Sequence, residues 1–213
     1  KGASGTWNTG IYWVVAQFSD LGSTFIAILD DDDEWNEEYL QRCFEKISVE
    51  QLDMVSTNII RITSDFDAFK HRAPITLKVD DFLIGNPGVQ GSNMFINLQT
   101  LLAVGGFDEN LKSSTDRDLC IRIAELGAVK YGALNIDLVR HYAESDRERL
   151  SKAGSLSKKQ GLQYFWNKHA GRMTHKQRFS FCQRAKELFE WLPENVETFQ
   201  VNEQETQKVA LVL

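Results

Sequence analysis

The chain has 213 residues, 42% of them hydrophobic, enough for one substantial core, and a net charge of -6 from 24 basic and 30 acidic residues. No apolar run approaches the roughly 20 residues of a membrane-spanning helix. Three scattered cysteines, Cys43, Cys120 and Cys182, lie in no metal-like or CxxC spacing, which implies no disulfide framework and points to a reducing compartment.

The charge is uneven. Residues 147–186 hold 11 of the 24 basic residues and one acid, Glu148, leaving 13 basic against 29 acidic residues elsewhere. An acidic body repels a nucleotide diphosphate unless a cation intervenes; the basic segment reads equally as a solvated helix face or as a surface for phosphate or an anionic membrane.

In chain order, residues 24–29 form a short apolar run ending in carboxylates, which suits a buried strand whose C-terminal end opens at a site. Residues 35–47 place Tyr39, Leu40, Cys43, Phe44 and Ile47 at helical spacing, and β-branched residues 54–62 read as a strand. Strand, helix and strand in succession suggest a parallel sheet. A short helix over 79–84 leads to the turn Asn86-Pro87-Gly88, a strand over 92–96 and a helix over 98–104 ended by Gly105-Gly106. Residues 116–126 close with Gly127 as a helix should, and two strand-like stretches follow, 128–133 and 136–142. From Ser157 the pattern is helical, with Leu162, Phe165, Trp166, Phe181 and Ala185 preceding Pro193. The polar stretch 194–213 reads as an edge strand or a linker. The expected organisation is an α/β domain over 1–145, a basic helical extension over 146–192 packed on it, and a tail over 193–213.

Asp30-Asp31-Asp32-Asp33-Glu34 sets five carboxylates directly after the predicted strand. So much like charge is unfavourable unless water or an oxygen-seeking divalent cation screens it, and strand ends are where α/β sheets bind ligands. A cation held by one or two carboxylates and otherwise by substrate phosphates is the usual Mg²⁺ arrangement, with Mn²⁺ also suited. An EF-hand loop needs glycine at its sixth position, where Trp35 stands. The aspartyl-phosphate phosphatase motif is also a poor fit, because Glu34 occupies the position of its Thr or Val.

Four stretches together resemble family 2 glycosyltransferases of the GT-A fold: Thr6-Trp7-Asn8-Thr9-Gly10-Ile11; Ile26 to Trp35 with the acidic run; Gly105-Gly106-Phe107-Asp108-Glu109; and Asp116-Arg117-Asp118-Leu119 with Arg122. The resemblance spans roughly residues 2–142 and implies a GT-A-like (Rossmann-like) fold with a mixed, mostly parallel sheet. It implies that Asp30 and Asp32 bind Mn²⁺ or Mg²⁺, with Asp31 alongside on the donor diphosphate. It makes Asp116 the catalytic base of an inverting transfer, with Thr115 replacing the family's usual Glu. His141 is implied as a further metal ligand, and Asn8, Gly91 and Ser92 as donor contacts, with Trp7 where the family usually has Arg. Read without the resemblance, Asp116 is an N-cap or first-turn acid and His141 a structural histidine. Asp118 and Arg122 pair one helical turn apart, outside the catalytic set.

The family ordinarily begins with a nucleotide-binding strand that is not found here ahead of Lys1. The implied partners are a nucleotide-sugar donor, a UDP-sugar foremost, and a glycan or lipid-linked acceptor. No specific nucleic acid is expected. The expected location is the cytoplasm, with residues 147–186 as the contact to the inner face of a membrane. The alternative is a GT-A-like domain that binds nucleotide or glycan without catalysis.

Overall fold

The computed structural model describes residues 2–62, 69–142 and 154–194. Helix α1 (Gly2–Gln17) leads to strand β1 (Phe25–Ala27), then β2 (Asp33–Trp35), helix α2 (Tyr39–Glu50), β3 (Met54–Ile62) and β4 (Phe69–His71). After helix α3 (Val79–Ile84), a 3-10 turn over Gly91–Asn93 opens β5 (Met94–Asn97), followed by α4 (Leu98–Ala103), α5 (Thr115–Glu125), β6 (Tyr131–Tyr142), α6 (Leu156–His169) and α7 (His175–Phe189).

The strands form one mixed sheet in the order β1-β5-β3-β6-β2, with β4 on β3. Period-two alternation divides its side chains between two cores. Met54, Met94 and Ile96 enter the larger one with α1, α3, α4, α5, α6 and α7. Val55, Ile59, Phe95 and Val139 face α2, whose Tyr39, Cys43 and Ile47 recur every four residues and are buried. β3 is the centre, its first six residues all buried.

Parallel pairing among the described residues is confined to β3 and β6, and the other ladders are antiparallel. The share of parallel pairs is thus smaller than expected. β1 and β3, joined through α2, do run in the same direction, but β5 lies between them and is antiparallel to both. β1 is also shorter than the predicted run and only half-buried, because it has a single neighbour, β5.

The two strands predicted over 128–133 and 136–142 are one strand. Its register jumps from Thr57↔Leu134 to Asn58↔Asp137, and such a bulge reads as a break in the sequence. Buried Asn58 spans it, its Nδ2 donating to Asn135 Oδ1 at 2.9 Å and to Asp137 Oδ1 at 3.0 Å.

Helices α6 and α7 contribute Leu162, Phe165, Trp166, Phe181 and Ala185 to the same core as Phe82 and Leu119. Arg117 of α5 lies within this packing, 7% exposed. Its Nη2 donates to the carbonyls of Phe82 at 2.8 Å and Leu83 at 3.0 Å near the C-terminal end of α3, and its guanidinium covers the Phe165 ring at 4.2 Å. The tail predicted over 194–213 lies outside the described residues beyond Glu194.

Gly161 is where α6 approaches the segment before α5 most closely, since an added Cβ would stand 2.5 Å from the Ser113 nitrogen. Gly161→Ala is therefore expected to destabilise the protein by about 1–3 kcal/mol, although alanine is by about 1 kcal/mol the better helix former. A lower urea midpoint at unchanged slope is the reading that supports this.

Candidate active site

The acidic run is not all loop. Asp30 follows β1, and a turn closed by the Asp33 N–H donating to the Asp30 carbonyl (3.1 Å) sends the chain into β2. There Asp33, Glu34 and Trp35 pair with His141, Arg140 and Val139 of β6. His141 Nδ1 lies 2.7 Å from Asp33 Oδ1, and the Tyr142 hydroxyl donates to Glu34 Oε2 at 2.6 Å. Only residues 30–32 thus occupy the predicted strand-to-loop edge.

Ser92 holds both ends of this turn. The Asp30 N–H donates to its Oγ at 3.2 Å, and Trp35 Nε1–H donates to its carbonyl at 2.7 Å. Next to it, a Cβ on Gly91 would stand 3.7 Å from Asp30 Oδ2 and 3.8 Å from Trp7 Cη2. Gly91 therefore brings the backbone close to Asp30 where a larger residue would fill the space. Burial, then the neighbouring Asp33 and Asp32 carboxylates, push the Asp30 carboxyl up to about 6.

Asp116 stands in the first turn of α5. The preceding Ser114 has φ 64° and makes no side-chain cap, so the helix begins abruptly from a left-handed residue. The Asp116 Oδ1 is buried with no hydrogen-bond partner among the described residues. Burial first and the Asp30 charge second raise its carboxyl to about 7, while the Lys158 ammonium and the Gly91 N–H oppose the rise. Asp30, Gly91, Ser92 and Asp116 thus form one cluster, although more than 60 residues separate Asp30 from Ser92.

Asn8 does a different job. Its Nδ2 donates to the Phe107 carbonyl at 2.8 Å and to Glu109 Oε1 at 3.1 Å, and its Oδ1 accepts from the Phe107 N–H at 2.8 Å. The close fit explains Gly106, at φ +72°, where a Cβ would come within 2.6 Å of Asn8 Oδ1. Trp7 packs on Phe107, ring centroids 4.8 Å apart. Asn8 thus ties α1 to the Gly-Gly-Phe-Asp segment.

Asp118 is fully buried and receives Arg122 Nε at 2.8 Å, Lys168 Nζ at 2.7 Å and His169 Nε2 at 2.9 Å. Burial works to raise its carboxyl, but these hydrogen bonds and cationic charges hold it well below the usual carboxylate range. Arg122 Nη1 continues to the carbonyls of Val104 and Gly106, each at 2.6 Å. The i, i+4 pair expected here is present and is structural.

Among the described residues no three His, Cys, Asp or Glu side chains are grouped as a ready-made metal cage. The clustered carboxylates and the unpartnered Asp116 oxygen fit the other arrangement, in which one or two carboxylates and a substrate's phosphates share the cation. The sequence sets Asp33 in the acidic run without giving it a ligand role of its own, and gives no sign of Lys158. The cross-strand partnership of Asp33 with His141 depends on sheet register, and Lys158 reaches Asp116 only through the packing of α6, so neither carries a local signal.

Residues 1–103 match the profile of Glycosyl transferase family 2. The match covers 103 of the 213 residues. The match includes Trp7, Asn8, Asp30 to Asp33, Gly91 and Ser92, and ends before Asp116 and Lys158. The chain superposes over 96% of its length on Staphylococcus aureus TarS 1-349 in complex with UDP-GlcNAc, covering 58% of that chain with a TM-score of 0.58 at 15% identity. For the complex of TarS 1-349 with UDP the TM-score is 0.53 at 14% identity, covering 98% of this chain and 57% of that one. A further TarS crystal structure gives 0.52 at 14% identity, covering 98% of this chain and 35% of that one. The shared α/β architecture, a mixed sheet with flanking helices, is the GT-A fold. The chain spans less than two thirds of these TarS chains. No curated protein sequence matches it. Among the described residues no helix is long and apolar enough to cross a membrane.

The Asp116 carboxyl ionises near 3.8 when unfolded and about 7 when folded, so the folded state binds its proton more tightly and loses stability as pH rises between these values. Asp116→Asn escapes that loss. It is expected to melt several degrees above the wild type at pH 8, with the gap closing near pH 4 in a calorimetric series. A gap independent of pH would remove the argument.

Proposed function

We propose that the chain is the catalytic part of a metal-dependent, inverting glycosyltransferase that moves a sugar from a nucleotide-diphosphate donor, a UDP-sugar foremost, to an acceptor hydroxyl. The observation that carries this reading is the convergence of Asp30, at the end of β1, and Asp116, at the start of α5, beside Gly91, with one Asp116 oxygen unpartnered. The family match and the likeness to TarS structures containing UDP-GlcNAc and UDP support a nucleotide-sugar donor.

In this reading Asp30 and Asp32 hold Mn²⁺ or Mg²⁺, His141 beside Asp33 is the further ligand, and Asp31 lies alongside the diphosphate. The bound cation supplies charge that stabilises the departing diphosphate. Gly91 leaves room next to Asp30 for the donor, Ser92 holds the turn, and Asn8 acts on the donor side by fixing the Phe107 segment. Asp116 takes the proton of the acceptor hydroxyl as its oxygen attacks the anomeric carbon on the face opposite the diphosphate, and the configuration inverts. A carboxyl raised to about 7 is matched to that task near neutral pH. The acceptor is a glycan or a lipid-linked molecule, with residues 147–186 as the peripheral contact to a membrane.

The packing of Trp7 against Phe107 and Gly91, where the family usually has an arginine, favours the second reading, a domain that binds nucleotide without transfer. One set of variants separates the two. Asp116→Asn is expected to lower turnover by roughly 10²–10⁴-fold while UDP binding persists. Asp32→Ala is expected to abolish the Mn²⁺-dependent thermal shift, about 2.7 kcal/mol at 100-fold over the dissociation constant. UDP binding without sugar transfer by the full-length wild type would support the binding domain, and undiminished turnover in Asp116→Asn would refute the base.

A further inference from the structure

The basic stretch near the C-terminus does not simply face solvent. Arg117 of α5, Lys158 of α6 and Arg184 of α7 lie within electrostatic reach of one another, and Lys158 also reaches Asp116. Arg117 is buried, and its guanidinium is committed to the end of α3. Lys158 Nζ stands 4.3 Å over the Phe189 ring. Arg184 is exposed and lies across Gly85, where an added Cβ would come within 3.0 Å of its Nε.

Arg184 also lines an open groove of about 290 Å³ with Ile84, Gly85, Asn86, Pro87 and Asp81. Among the described residues neither Lys158 nor Arg184 has a carboxylate at ion-pair distance. Burial, then Arg117, brings Lys158 down to about 8, and burial, then Arg184, brings Arg117 down to about 9. Cations gathered with so little counter-charge are unfavourable until an anion answers them. Among the described residues the groove is lined by one acid, Asp81 of α3, so an anion is better placed at Arg184, which lies within electrostatic reach of Lys158.

We infer that the flank formed by Lys158, Arg184 and the 84–87 groove binds a phosphate ester carried by the acceptor, so that the hydroxyl to be glycosylated lies at Asp116 and a phosphate of the same molecule lies at the two cations. This deepens the reading of Asp116 as the base and rests on it. In that reading the donor's diphosphate belongs by Asp30, beside Gly91. Guanidinium and ammonium groups suit a phosphate ester, bidentate from Arg184 and as a point charge from Lys158, and Phe189 keeps the lysine in place.

The full-length chain is titrated by calorimetry with glycerol 3-phosphate, with glycerol, and with UDP plus Mn²⁺. Glycerol 3-phosphate is expected to bind and glycerol not to. R184Q and K158Q are expected to weaken the ester by about tenfold or more, R184K and K158R by less, and UDP affinity should not change. Arg184 is exposed, so R184Q keeps the fold and decides the matter even if K158Q melts early. Ester affinity unchanged in R184Q overturns the site. A parallel fall in UDP affinity also overturns it, because the cations then serve the donor. A wild type that binds the ester but not UDP keeps this anion site and sinks the donor reading instead. Capture on phosphatidylcholine vesicles containing phosphatidylglycerol, absent with phosphatidylcholine alone and lost in R184Q, assigns the phosphate to a lipid headgroup. Ester binding without vesicle capture assigns it to a free or polymer-borne phosphate.

Discussion

Carboxylates held close together out of water repel one another, and the architecture around Asp30 is arranged about that repulsion. Asp33 is matched with His141 across the β2–β6 pair, and Glu34 with Tyr142 and Arg140. The Asp30 end of the turn is fastened by backbone and hydroxyl groups, through Ser92 and the Asp30–Asp33 bond. These neutral donors fix the geometry at Asp30 without adding positive charge there. The consequence is a pair of acids, Asp30 and Asp116, whose ionisation near neutrality is opposed by burial, and further by Asp33 and Asp32 at Asp30 and by Asp30 at Asp116.

Helix α5 shows how far environment, rather than residue type, sets the behaviour of an acid. Asp116 and Asp118 are two positions apart, about 200° around the helix axis. One has an oxygen without a partner and a raised carboxyl; the other collects Arg122, Lys168 and His169 and is strongly acidic. The second acid anchors α6 and, through Arg122, the glycine turn at Gly106. The first turn of α5 is thereby held rigidly enough to keep Asp116 beside Asp30.

Elements with an uninterrupted period were legible before folding was considered. Residues 54–62 and 79–84 form the strand and helix that their patterns predict, because β-branched alternation and short apolar spacing are local properties. The break expected near Asn135 was not a break, since only pairing with β3 reveals that the irregular stretch is bridged by Asn58. In the site, Asp30 and Ser92 were each singled out, but the hydrogen bond joining them was not, and neither was the contact of Asn8 with Phe107. Lys158 was hidden within a run of basic residues. Its neighbours Asp116 and Phe189 lie on other helices, and no window of sequence contains all three.

The irregular register of β6 carries a further consequence. From Met54 to Ile62 the central strand advances eight positions, while its partner advances eleven from Tyr131 to Tyr142. The surplus is odd, so alternation along β6 is inverted between its two ends. An even surplus would leave the first half of the strand correctly packed and turn His141 to the opposite side of the sheet, away from Asp33. The bulge thus acts as a parity device: it lets one continuous strand satisfy the hydrophobic layer at its start and still deliver an imidazole to the acidic turn at its end. Length changes in this stretch are therefore not interchangeable with those in a surface loop. Gains or losses of two residues preserve the histidine's side, whereas a single one exchanges it.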